Sequence, residues 1–533
     1  MLSLCRPFVS LLVLFSYLPS IHASCHSSES SIGPKGDLII SNKRISPDGL
    51  ERDAVLAGGQ YPGPLIKGYK GDNFQINVTD QLTDESMSTF TSIHWHGIKQ
   101  RHSIWSDGTA FVTQCPIVSG NSFLYNFSVP DQAGTFWYHS HVGVQYCDGL
   151  RGPLVIYDHN DPHKNMYDVD DESTIIALAE WYHVPAPQIG IPPLADSTLF
   201  NGRGRQSNGS EPLTVFTVQR GKRYRMRLIA MSCEPNYIFS IDQHIMTVIE
   251  ADGTTVEPVN VDSLQIFAAQ RYSFVLEANQ PVNNYWMRAQ PDLGVNVTTV
   301  GGVNSAILRY EGAPEEEPTT TQSQSKLPLL ETSLHPFIPM PVPGAPHPGG
   351  AEVVKNLDIQ IDMSAGRYTV NNVSFVPPSI PVLLQLLSGA RSAQDLMPSG
   401  SIIPLPRNAT VEITMRGGAL GGPHPMHMHS NTFHVVRSAG NSSYNFVNPI
   451  VRDTVNIGEA TDEVTIRFDT TTPGPWIFHC HINLHLQLGL AVVMAEAVED
   501  IANDLEEAVP TAWKDLCPAY NKALPAGNQT VAA

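Results

Sequence analysis

Short stretches of alternating apolar and polar residues dominate this chain. Phe74-Gln-Ile-Asn-Val78 and Val464-Thr-Ile-Arg-Phe468 are apolar at every second position, and Phe123 to Val129 and Tyr272 to Leu276 behave alike. A period of two is that of a strand with one face on a core. Turn-forming residues recur about every ten positions, the spacing of β-sandwiches and barrels. Helical pattern is sparse, with Val382 to Leu387 and Asp500 to Ala508 the two segments that read as short helices. Between about Gly312 and Gly350, Pro, Thr, Ser and Glu crowd together, which predicts a long surface linker into a last domain. At the start, Arg6 precedes an apolar run from Phe8 to Leu18. That run is shorter than the roughly 20 apolar residues that cross a bilayer. With Ile21-His22-Ala23 as a cleavage site it predicts a secretory signal over residues 1–23 and a mature chain from near Ser24.

The chain also echoes itself. Gly134-Thr-Phe-Trp-Tyr-His-Ser-His141 resembles Gly474-Pro-Trp-Ile-Phe-His-Cys-His481, and His94-Trp-His96-Gly pairs with His427-Met-His429-Ser. The first and last domains therefore read as copies of one β-unit around a middle domain without these motifs. The expected boundaries are 24–161, 162–328 and 329–533.

Composition narrows the possibilities. A hydrophobic share of 42% supplies ample core, and 40 Gly with 42 Pro argue against a helical bundle. Net charge of −19 and no basic run leave nucleic acid without an electrostatic footprint. No later segment reads as membrane-spanning. Eight Asn-x-Ser/Thr triplets, at Asn77, Asn126, Asn208, Asn296, Asn372, Asn408, Asn441 and Asn528, fit a secreted glycoprotein. Of seven Cys, Cys5 leaves with the signal and most of the others should pair in an oxidising compartment, with Cys25 the candidate left over.

The histidines carry the chemistry. His-x-His occurs four times, at 94/96, 139/141, 427/429 and 479/481. Twenty histidines in 533 residues would give fewer than one such pair by chance. On a strand, residues i and i+2 face the same side, so each pair presents two imidazoles together. Eight imidazoles exceed what one tetrahedral ion uses and suit two or three ions, with Cu, Zn, Ni or Fe all compatible. Cys480 lies between His479 and His481, so its sulfur points to the opposite side. With His424 and His485 it forms the two-His, one-Cys set of a blue-copper electron-transfer site. Leu490 stands at the axial spacing and cannot ligate, which favours Cu(I) and a raised potential. A one-electron copper next to a cluster that gathers four electrons suits reduction of O₂ to water.

These motifs resemble those of fungal laccases, in the blue multicopper oxidase family, over nearly the whole mature chain. The resemblance rests on Ser92-Ile-His94-Trp-His96-Gly97, Trp137-Tyr-His139-Ser-His141, His424-Pro-Met-His427-Met-His429 and His479-Cys480-His481-Ile-Asn-Leu-His485. It implies an all-β chain of three cupredoxin-like Greek-key domains and four copper ions. His424, Cys480 and His485 would hold the type 1 copper, and His94 and His427 the type 2 copper. His96, His139 and His481 would hold one type 3 copper, and His141, His429 and His479 the other. The resemblance also implies disulfides Cys115–Cys517 and Cys147–Cys233. Glu234 matches a carboxylate that takes the phenol proton, with Asp292 and His485 also at the substrate. Asp107 matches an acid that delivers protons to O₂. Phenols and O₂ are the expected partners of a monomeric, secreted enzyme, with no nucleic acid and no membrane. The chain departs from the pattern at Asn483, where Asp is usual, at Ser430-Asn431, usually Gly-His, and at Gln487, usually Glu. Ile98-Lys99 replaces an aromatic pair, and Asp292-Leu293 replaces Asn-Phe. A ferroxidase of the same family, and a copper-binding protein with little turnover, are the alternative readings.

Overall fold

The computed structural model describes residues 31–191, 193–206, 208–292, 303–390, 397, 400–504 and 509–524. The signal segment, Cys5, Cys25, Leu293, Asn296 and Asn528 lie outside the described residues, as does the end of the helix expected over 500–508. Alternation predicts the strands well. Phe74 to Val78 falls in Asn73–Gln81, Phe123 to Val129 overlaps Ser122–Ser128, Tyr272 to Leu276 falls in Arg271–Glu277, and Val464 to Phe468 falls in Glu463–Asp469. Val382–Leu387 is a helix, and Ile501–Asp504 is the described part of the second one.

Most of the strands form three successive pairs of sheets, with two further two-stranded ribbons. The first pair has two four-stranded sheets, the second has sheets of six and five strands, and the third has two five-stranded sheets. The predicted echo appears as identical pairing. In the first pair, Ile93–His96 runs antiparallel to Gly134–Ser140 with His94 opposite His139. In the third, Pro425–Met428 runs antiparallel to Gly474–Cys480 with His427 opposite His479.

Strand alternation then sorts the side chains. Ile93, Trp95, Phe136 and Tyr138 enter the first core, which leaves His94, His96 and His139 on the other face. Met426, Met428, Phe478 and Cys480 enter the core shared by the last two units, which puts His427 and His479 on the opposite face. The sheet thus separates Cys480 from the histidines on either side of it.

The stretch 312–350 is largely irregular, as expected, but it is not a free linker. Leu334 is buried in a core, and Pro328 and Pro336 form bridges to Ser263 and Val256. The longest helix, Thr511–Ala523, was not foreseen. Its interior Pro518 hides it from a propensity reading. Trp513, Leu516 and Tyr520 insert into the first core, Trp513 Nε1 donates to the Thr113 carbonyl at 2.9 Å, and Cys517 is bonded to Cys115. The end of the chain is thereby clamped onto its first sheets. Cys147 is bonded to Cys233. Among the described residues, no helix is long and apolar enough to cross a membrane.

The clamp closes a loop of 402 residues. Replacing Cys115 and Cys517 by Ser should cost about 2–5 kcal/mol of stability. Thermal melts should shift down, and hydrogen exchange should accelerate first in residues 511–523. An unchanged melt would show that burial of Trp513, Leu516 and Tyr520 suffices to hold the helix.

Candidate metal centre

Two sets of donors lie back to back across the strand Gly474–Cys480. On its core side, Cys480 Sγ sits 3.6 Å from the Nδ1 atoms of both His424 and His485, and those two nitrogens are 3.1 Å apart. His424 Nε2 donates to the Ala419 carbonyl at 3.2 Å, which leaves Nδ1 as the free lone pair. Burial, then the charge of Glu234, pushes the Cys480 thiol well above its ordinary value, so the thiolate needs a cation beside it. Leu490 is fully buried in the same core and offers only carbon. Gly421, at φ +85°, crosses close over the set, and a Cβ there would lie 3.0 Å from His485 Nε2. Tyr368 packs its ring 4.6 Å from that of His485.

On the opposite side, the four His-x-His pairs meet. His141, His429 and His479 form one triad, His96, His139 and His481 a second, and His94 and His427 come together with His96. Local hydrogen bonds fix which nitrogen each ring presents. His94 Nδ1 donates to the Asp107 carbonyl, His139 Nδ1 to Ser140, His427 Nδ1 to Asp453 and His479 Nδ1 to Cys480, all at 2.8–2.9 Å. What remains is a ring of lone pairs. Nε2 of His94, His139, His141, His427 and His481, and Nδ1 of His96, are buried without a partner. His429 Nε2 and His479 Nε2 face each other at 3.1 Å. An unsatisfied buried acceptor costs about 1–3 kcal/mol, and six of them would rival the roughly 5–15 kcal/mol that holds a protein folded. Protonation does not relieve this. Burial, reinforced for most of them by neighbouring imidazoles, holds nine of the ten histidines below their ordinary value, with His424 lowered to about 4 and His479 to about 3. Neutral, inward-facing imidazoles are the chemistry of a metal cluster.

The surroundings hold these rings in place. Asp107 accepts from Thr109 Oγ1 at 2.6 Å and faces His429 Nδ1 at 3.1 Å. Burial alone would raise its carboxyl, but His94 and Thr109 outweigh this and hold it low. Asn483 Nδ2 donates to the Gly143 carbonyl, so the amide ties two loops together. Ser430 Oγ accepts from the Gln100 amide, and Asn431 donates to Glu496. Asp453, Arg271, Thr109, Tyr146 and Tyr368 escaped sequence reading. None lies in a repeated motif, and only the fold brings them to the histidines.

Glu234 and Asp292 line one small pocket with Asn236, Phe267, Gly421 and Ile482. Gln265 Nε2 reaches Asp292 at 3.2 Å, whereas Glu234 Oε2 is buried without a partner. Burial, then the charge of Glu180, raises the Glu234 carboxyl to about 8. His485 does not line this pocket but stands behind Gly421. A cavity of about 800 Å³ lies elsewhere, among Tyr69, Tyr157, His159 and Arg225, and contains none of the foreseen site residues.

Comparison with known proteins agrees with this geometry. Three family models, each described as multicopper oxidase, match residues 39–161, 172–313 and 375–500. The chain is 57% identical over 499 residues to a laccase of Pycnoporus cinnabarinus, covering 93% of this chain and 95% of that one. It is also 57% identical over 501 residues, with the same coverage, to laccase-2 of Trametes versicolor. Among solved structures, the laccase from Botrytis aclada superposes with a TM-score of 0.80 at 30% identity over 93% of both chains. Fet3p, a multicopper oxidase that functions in iron import, gives 0.81 at 26% identity over 91% of this chain and 95% of that one.

The buried neutral rings also set an acid limit. An unfolded histidine takes up a proton near pH 6.5, whereas in the folded protein His424 does so only near 4 and His479 near 3, and seven further rings are also held below the ordinary value. The unfolded state therefore binds more protons across that window, and stability falls as pH falls. Calorimetry of the metal-free protein should show its melting temperature dropping steadily from about pH 6.5 to about pH 4. A flat profile would contradict neutral burial.

Proposed function

This chain belongs to the multicopper oxidase family, and on that premise we propose that it is a laccase whose eleven donor side chains hold copper in four sets. His424, Cys480 and His485 make the type 1 set and His94 with His427 the type 2 set. His96, His139 and His481, and His141, His429 and His479, make the two type 3 sets. The observation that carries this is the convergence of eight imidazoles, seven of them buried and His141 half-buried, opposite a Cys flanked by two of them. Bound copper supplies one-electron oxidation of phenols at the first set and four-electron reduction of O₂ to water at the other three. The units are cupredoxin-like, and the domain boundaries 24–161, 162–328 and 329–533 enclose the three matched segments. Two disulfides fit secretion into an oxidising compartment. We keep the monomer as the working state.

The protein's own residues position and protonate. Gly421 and Ile482 form the wall on which a phenol ring rests, and Asp292 borders it. Glu234 accepts the phenolic proton, so that loss of an electron does not leave a charged radical. Asp107 holds His94 through its main-chain carbonyl and His429 through its carboxylate, which serves as a proton donor toward O₂. Asn483 ties its loop to Gly143 through an amide N–H that a carboxylate could not supply, but has no titratable proton to give.

Copper analysis with visible and EPR spectra tests the assignment. An intense blue band should vanish in Cys480→Ser while type 2 copper remains. A colourless wild-type protein holding one Zn would refute it. Glu234 makes a second test. As a proton acceptor it must be ionised, and its carboxyl titrates near 8. Phenol kcat/KM should therefore climb toward that pH, while a non-phenolic electron donor shows no such rise. Glu234→Gln should cut phenol turnover by about 100-fold and flatten the profile. Equal losses on both donors would remove the proton-acceptor role.

A further inference from the structure

The middle unit contributes no copper ligand, yet one of its side chains reaches two of them. Arg271 is fully buried. Its Nη1 and Nη2 donate to the two carboxylate oxygens of Asp453, in the last unit, at 2.8 and 2.7 Å. Its Nε donates to the Thr135 carbonyl of the first unit at 3.0 Å, and Nη1 also reaches the Ala269 carbonyl at 3.1 Å. One guanidinium thus joins all three units. Asp453 Oδ1 stands 3.3 Å from His96 Nε2, and its main-chain carbonyl accepts from His427 Nδ1 at 2.9 Å. His96 is consequently left with Nδ1 to face the cluster, whereas the other seven rings present Nε2. The space for this pair is provided by Gly97, at φ +87°. A Cβ there would lie 2.6 Å from Arg271 Nη2 and 2.9 Å from Asp453 Oδ2.

We propose that Arg271 is a positioning residue for the copper cluster. Its planar fork fixes Asp453, and through Asp453 it sets the ring and tautomer of His427, at the type 2 copper, and of His96, at a type 3 copper. The proposal rests on reading those two histidines as copper ligands. Lys carries the same charge but cannot make the bidentate contact. Loss of an outer contact of this kind weakens metal binding by about 10–100-fold.

The test is copper retention by the purified holoenzyme during dialysis against a graded chelator. Type 2 copper is read by EPR, and the blue band serves as the report of a folded protein. Arg271→Lys should lose type 2 copper at about 10–100-fold lower chelator than wild type, and what remains should show altered hyperfine splitting, with the blue band intact. Arg452→Lys is the control. Arg452 is equally buried at the same junction and bonds Asp252 and Glu331, with no contact to the Asp453 carboxylate. It should retain type 2 copper. Wild-type retention and an unchanged spectrum in Arg271→Lys would overturn the proposal, and so would equal loss in Arg452→Lys, which would signal general loosening. If Arg271→Lys shows no blue band, Asp453→Asn breaks the same clamp with Arg271 in place. Selective type 2 loss there supports the proposal, and unchanged retention overturns it. Absence of type 2 copper from wild type would instead sink the ligand assignment beneath it.

Discussion

Eight imidazoles with their free lone pairs turned toward one another are costly to hold together unless cations lie among them. Four of these rings stand on strands of the first unit or just past their ends, and four on or just past those of the last. Neither sheet could enclose the metal alone. The two therefore meet face to face, and each His-x-His pair needs a strand whose other side feeds a core. That requirement explains why Trp95, Phe136, Met426 and Phe478 alternate with ligands. It also explains why the chain repeats one pairing register twice.

Holding two sheets at ligand distance is a problem of rigidity, and the middle unit answers it with charge. Its face toward the other units carries Arg225 and Arg227 on Glu250 and Asp170, Arg271 on Asp453, and Asp252 on Arg452. Buried ion pairs of this kind add little net stability compared with apolar packing. They do impose direction, because a bidentate guanidinium tolerates one orientation of its carboxylate. The C-terminal helix and the bond between Cys115 and Cys517 supply the complementary constraint from outside.

Much of this was legible in the residues. Period-two stretches such as Phe74 to Val78 locate strands because one face must be apolar, and His-x-His is visible because its geometry is local. The structure also pairs Cys115 with Cys517 and Cys147 with Cys233, as the resemblance implied. The rest is not local. Arg271 and Asp453 are 182 positions apart, and nothing in either neighbourhood marks a partner. The helix over 511–523 was masked by Pro518, and its burial depends on a groove formed by residues at the other end of the chain. Glu234 was recognised by position, but its high affinity for a proton comes from burial and from Glu180, which stands on the strand Ile175–Trp181 while Glu234 lies in a loop.

The split of ligands between the first and last units also orders events in time. His94 to His141 emerge from the ribosome long before His427 to His481 are made, an interval on the order of tens of seconds at ordinary rates of synthesis. During it the nascent chain carries four half-coordinating imidazoles with no second half. Capture of the cluster can only follow release of nearly the whole polypeptide. By contrast, His424, Cys480 and His485 arise together within one unit. A cell that truncates this chain late thus makes a polypeptide that lacks both the second half of the cluster and the helix that packs into its first core.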